Sequence, residues 1–166
     1  RARPKIADYP FTTLHPNLGV VGARGREFVM ADIPGLIAGA SDGAGLGHRF
    51  LGHVERCTAL LHLVDATQDD IVASYQIIRH ELAAYSSELS ARHQVIALTK
   101  CDALDEKMRD EKKHLLERET GIAPVLISAV SGENIDQLSD ILLDCVRSGE
   151  AETPAKETSS GVQQAA

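Results

Sequence analysis

The sequence predicts an α/β domain built on a largely parallel sheet with helices on both faces, and three observations carry that expectation. Short apolar runs stop abruptly at polar residues in "ALLHLVDA", "QVIALTKCD" and "APVLISAVSG" (59–66, 94–102 and 123–132), the pattern of strands buried on both faces. Longer segments with apolar residues at helical spacing separate and follow them, so strand and helix alternate as in a parallel sheet with crossover helices. A chain of 166 residues, 43% of them hydrophobic, can bury one sizeable core and is too short to expect two.

Taken in order, apolar runs at 18–21 and 27–31 flank "GARGR", whose glycines suit a tight reversal between antiparallel strands. After the first buried strand, 69–90 reads as a helix. A second helix is expected over 105–120, where Met108, Leu115 and Leu116 offer an apolar stripe and Gly121 a stop before the third buried strand. A third helix follows over 134–146. Beyond Arg147 the chain continues as "SGEAETPAKETSSGVQQAA", where Val162 is the only large apolar residue. Residues 1–147 are therefore expected to be the folded part and 148–166 a disordered tail.

The formal net charge of −7 argues against broad contact with a phosphate backbone. Cys57, Cys101 and Cys145 lack C-x-x-C spacing and fit small buried thiols in a reducing compartment. His15, His62, His80, His93 and His114 have no metal-ligand spacing, while His48, Arg49 and His53 fit a solvated helix face better than an RNA contact. No apolar run approaches the roughly 18 to 20 residues that span a bilayer. A cytoplasmic, monomeric protein is the expectation. The opening "RARPKIADYP" carries no initiator Met and reads as the middle of a longer product.

Ligands of open parallel sheets gather beyond the carboxyl ends of the strands. Three such ends are distinctive here. Asp32 ends the strand 27–31 and begins Asp32-Ile33-Pro34-Gly35, a D-x-x-G turn in which the carboxylate suits Mg²⁺ through water and the Gly35 amide a terminal phosphate. Thr99-Lys100-Cys101-Asp102 follows the second buried run: a lysine stem to cover a purine face, and a carboxylate to accept guanine N1–H and N2–H₂. Ser128-Ala129-Val130 follows the third, with Ser128 tightening the turn and the Ala129 amide aimed at guanine O6. Each alone also fits an ordinary polar turn. Their order and spacing together resemble the guanine-nucleotide motifs of the P-loop GTPases.

In that company "DYPFTT" takes the place of the switch that follows the γ-phosphate, with Phe11, Thr12 and Thr13 near the nucleotide and Thr13 favoured over Thr12 for the metal. "YPFTTLHPNLGVV", "DIPGLIAGASDGAGLGHRFLGHVERC" and "LLHLVD" resemble the Obg family of GTPases, also called CgtA, over about residues 1–147. The resemblance implies slow GTP hydrolysis, dependence on Mg²⁺, association with the large ribosomal subunit during its assembly, and a link to growth and stress control.

The chain departs from that family in three ways. No G-x-x-x-x-G-K-[ST] loop occurs in it, although the family places one just upstream to cradle the phosphates. The strand before that loop is also expected between those ending at Asp32 and Asp65, so a gap is expected in the sheet, with poor folding and no hydrolysis by these residues alone. Thr99 stands where most members have Asn, and Leu36 follows Gly35 where Ras-like proteins carry a water-positioning glutamine. Two rivals stay open: a non-enzymatic protein- or ribosome-binding module without a P-loop, and a plain α/β scaffold.

Overall fold

The computed structural model describes residues 18–32 and 57–152. Strands β1 (Leu18–Ala23) and β2 (Arg26–Ala31) form an antiparallel hairpin in which Val20 pairs with Val29 and Ala23 with Arg26. Its reversal is the two-residue turn Arg24-Gly25, at φ 48° and 72°. Positive φ at both positions matches the right-handed twist of the flanking strands, which is why a glycine stands second.

β3 (Ala59–Asp65), β4 (His93–Thr99) and β5 (Val125–Leu126) form a separate parallel sheet in the order β3-β4-β5. Among the described residues no ladder joins β2 to β3, so the described strands fall into two sheets. Four consecutive residues of β4, Val95 to Leu98, are buried, because helices cover both sides of this central strand. Alternation along the strand separates two cores. Val95 and Ala97 pack with Leu138, Leu142, Leu143 and the hairpin's Ala23 and Phe28, whereas Ile96 and Leu98 pack with Ile71, Tyr75 and Leu116.

The helices are α1 (Ile71–Tyr85), α2 (Ser87–Ser90), α3 (Glu106–Thr120) and α4 (Ile135–Glu152). The single helix expected over 69–90 is thus two. Ser86 adopts an extended conformation (φ −155°, ψ 119°); its N–H donates to the Leu82 carbonyl and its hydroxyl accepts from the Leu89 N–H. One residue therefore closes α1 and caps α2. Around α3 the expected bounds hold, with Asp105 accepting from Met108 N–H and Gly121 at φ 70° in the left-handed stop, but of the expected apolar stripe only Leu116 is buried while Met108 and Leu115 are exposed.

Two boundaries need correction. The strand expected over 124–127 keeps only two residues: Pro124 has no N–H to donate, although Ile127 N–H still reaches the Leu98 carbonyl at 2.8 Å. The disordered tail expected from 148 begins instead as helix, since α4 runs to Glu152. Cys145 and Val146 lie on the core, and Gly149 packs so closely on Thr58 that an added Cβ would fall 1.9 Å from its methyl carbon. Residues 153–166 lie outside the described residues.

Candidate functional site

The carboxyl ends of β3, β4 and β5 meet at one edge of the parallel sheet, and backbone hydrogen bonds tie them together. Ala66 N–H donates to the Thr99 carbonyl at 3.0 Å, and Cys101 N–H to the Ile127 carbonyl at 3.1 Å. Thr99 adds a side-chain brace, its hydroxyl donating to the Val64 carbonyl at 3.3 Å. Threonine thus anchors this loop to β3 where a longer amide was the family expectation.

Lys100 lies in the left-handed region at φ 59°, ψ 32°. That conformation costs an L-residue about 1–2 kcal/mol and persists only where neighbours hold it. Here its ammonium reaches Asp65 Oδ2 at 2.6 Å, while Asp65 Oδ1 accepts from Thr67 N–H at 2.9 Å and from the Thr67 hydroxyl at 2.7 Å. These donors, Lys100 first and Thr67 next, hold the Asp65 carboxyl down at about 2. The lysine stem is pinned at its far end by a carboxylate that stays ionised. Lys100 is still 63% exposed, so the ion pair itself is worth no more than about 1 kcal/mol.

Cys101 is fully buried, its Sγ donating to the Leu98 carbonyl at 3.1 Å, and burial pushes its thiol pKa up. Its N–H and carbonyl are also committed, to the Ile127 carbonyl and the Leu104 N–H, so Cys101 braces the loop. Asp102, next in the short 3₁₀ turn Cys101–Ala103, is exposed. Its carboxylate has no hydrogen-bond partner among the described residues, leaving both oxygens available as acceptors.

Ser128 has no exposed surface. Its hydroxyl accepts from Ser131 N–H at 3.1 Å, its own N–H donates to the Glu133 carbonyl at 3.1 Å, and its carbonyl accepts from Gly132 N–H at 2.9 Å. The serine therefore shapes the loop from within, as its place in the sequence suggested. Ala129 and Val130 project into solvent, Val130 at 90% exposure, and the Ala129 N–H has no partner among the described residues. The loops that follow the adjacent parallel strands β4 and β5 thus carry an exposed carboxylate at Asp102 and an exposed main-chain donor at Ala129.

Asp32 follows β2 directly, exposed and unpaired among the described residues. An uncommitted carboxylate at a strand end is a hard oxygen donor that fits Mg²⁺. Phe11, Thr12, Thr13, Ile33, Pro34 and Gly35 lie outside the described residues. Among the described residues no group of three or more His, Cys, Asp or Glu is placed to hold a metal, and no helix is long and apolar enough to cross a membrane.

Sequence reasoning passed over four residues of this edge. Asp65 ends an apolar run just as Asp32 does, so its signal was present. Asn134, at φ 56°, donates from Nδ2 to the Leu126 carbonyl at 2.8 Å. Arg109 and Glu133 pair across 24 positions of sequence and left no local sign.

A family model described as "50S ribosome-binding GTPase" matches residues 1–100, a span that includes Asp32, Asp65, Thr99 and Lys100 and ends before Asp102. Among solved structures, the chain is similar to translation elongation factor SelB from Methanococcus maripaludis in complex with the GTP analogue GPPNHP. The TM-score is 0.50 at 16% identity, over 81% of this chain and 28% of that one. At that identity the likeness speaks for the fold alone, and the chain spans little more than a quarter of that protein's length.

Proposed function

We propose that this chain, which belongs to the 50S ribosome-binding GTPase family, supplies the guanine-reading and part of the metal-holding surface of an Obg-like GTPase. The observation that carries this reading is the pair of loops beyond β4 and β5. Among the described residues, the Asp102 carboxylate and the Ala129 N–H have no hydrogen-bond partner, and Lys100 is pinned at its ammonium by Asp65. Adenine lacks donors at both N1 and C2, so the same acceptor pair would be left unsatisfied against it. An acceptor that a bound base shields from water and leaves unpaired costs about 1–3 kcal/mol, enough to discriminate between the bases.

In the full-length protein, Thr13 and Asp32 would hold Mg²⁺, Asp32 through a water; the ion would neutralise charge on the β- and γ-phosphates. Phe11 to Thr13 and Asp32 to Gly35, with Ile33 and Pro34 between, would follow the presence of the γ-phosphate. The nucleotide state would then set whether the switch surface engages the large ribosomal subunit during its assembly in the cytoplasm, coupling growth and stress to GTP. We place the chain in a monomer. A non-enzymatic protein- or ribosome-binding module is the second reading.

Replacing Asp102 by Asn in the full-length protein tests the guanine reading. An amide that both donates and accepts complements xanthine, so preference should pass from GDP to xanthosine diphosphate by about tenfold or more. An unchanged nucleotide profile would overturn the assignment.

A further inference from the structure

We infer that Arg109 and Glu133 form a positioning strap that sets the distance between the two guanine-contacting loops, an inference that rests on the guanine reading above. The need for a strap follows from β5. Val125 and Leu126 pair with β4 and the Ile127 main chain bonds onward to Leu98 and Cys101, and there the backbone ties between the two strands end, before the loop at 128–133 begins. That loop must be fixed by something other than strand pairing. Within it, Ser128 closes the turn on Glu133, and Glu133 N–H donates to the Ser131 hydroxyl at 3.3 Å, so Glu133 is the residue on which the loop closes.

Arg109 reaches that point from α3. Its Nη1 donates to Glu133 Oε1 at 3.0 Å and Oε2 at 3.3 Å, while its Nε donates to the Leu104 carbonyl at 3.2 Å. Leu104 is the residue that leaves the Cys101–Ala103 turn and is itself bonded through its N–H to the Cys101 carbonyl at 3.1 Å. One planar guanidinium therefore grips the loop carrying Asp102 with one nitrogen and the loop carrying Ala129 with another. The arginine side chain is 25% exposed and the glutamate 37%, so the pair is better shielded than the other ion pairs of the molecule's described surface. A lysine has one point charge and no fork, and cannot serve both loops at once.

The consequence is on recognition. Guanine is read from two loops at once, and a displacement of one loop against the other breaks the match between Asp102 and Ala129 without touching either residue. The strap residues themselves meet no nucleotide.

The experiment uses the full-length protein and titrates GDP, inosine diphosphate and ADP against wild type, Arg109→Lys, Glu133→Gln and the exchanged pair Arg109→Glu with Glu133→Arg. Inosine lacks the N2 amino group, so the GDP-to-IDP ratio reports how well Asp102 is placed. Arg109→Lys should weaken GDP by about tenfold and shrink that ratio, as expected for loss of the guanidinium's simultaneous bonds to Glu133 and Leu104, and Glu133→Gln should do so to a lesser degree. The exchanged pair should recover part of the ratio. A merely structural role would lower the thermal midpoint and leave the ratio unmoved, which would overturn the inference, as would GDP affinity within about twofold of wild type in Arg109→Lys. Wild type that binds GDP no better than ADP would instead overturn the guanine reading itself.

Discussion

Asp65 is the residue on which the local electrostatics turn. Its carboxylate takes three donors from Lys100 and Thr67, and Lys100 in turn remains in the left-handed region. The Asp65 pKa of about 2 lies below its ordinary 3.8, so this group's contribution to stability is complete above about pH 4 and is lost as pH falls through 2. Carboxyl titration followed by NMR should give a midpoint near 2 in wild type, and Lys100→Met should move it up toward the ordinary carboxylate range. A midpoint that ignores the lysine would assign the depression to Thr67 alone. The motif residues Thr99, Lys100 and Asp102 were legible from sequence because each follows an apolar run. The partner that fixes Lys100 was not, because the contact spans 35 positions.

At the scale of elements, caps and close approaches explain where the sequence reading was right and where it slipped. Asp105 and Gly121 bound α3 by local chemistry, and that helix was legible within a residue. The length of α4 was not, because polar composition after Arg147 says nothing of the Gly149 and Thr58 contact. Gly149→Ala should destabilise the protein by about 1–3 kcal/mol through overpacking against Thr58, and adding Thr58→Ala should restore most of the loss. Chemical denaturation of the two variants measures this. An additive double mutant would show that the helix end does not press on Thr58.

Across the whole molecule, the sheet's two faces carry different loads. One core joins α4 to the hairpin and to Val95 and Ala97, and Arg24 reinforces it through ion pairs of 3.3 and 2.7 Å to Asp140 and Asp144. The opposite core holds Ile71, Tyr75 and Leu116, with His62 stacked on Tyr75 at 4.7 Å between ring centroids. Burial first, and then the charge of Arg79, lower the His62 pKa from 6.5 to about 4. A histidine kept neutral in the fold and protonated in the unfolded chain removes stability as pH falls from 6.5 toward 4. His62→Phe keeps the stack and removes the proton, so its stability should stay flatter than wild type over that window when unfolding is followed at several pH values. Parallel slopes for the two proteins would exclude His62 as the source.

The sequence by itself determined the alternation of strands and helices, the antiparallel hairpin and the strand-end positions of Asp32, Thr99 to Asp102 and Ser128 to Val130. These follow from apolar runs, turn residues and caps, whose physics is local. Only the tertiary structure decided that Asp65 holds Lys100, that Arg109 joins Leu104 to Glu133, and that α4 continues to Glu152. Each of those depends on chain segments far apart in sequence meeting across a packed sheet, and a contact between distant residues leaves no period, run or cap to read.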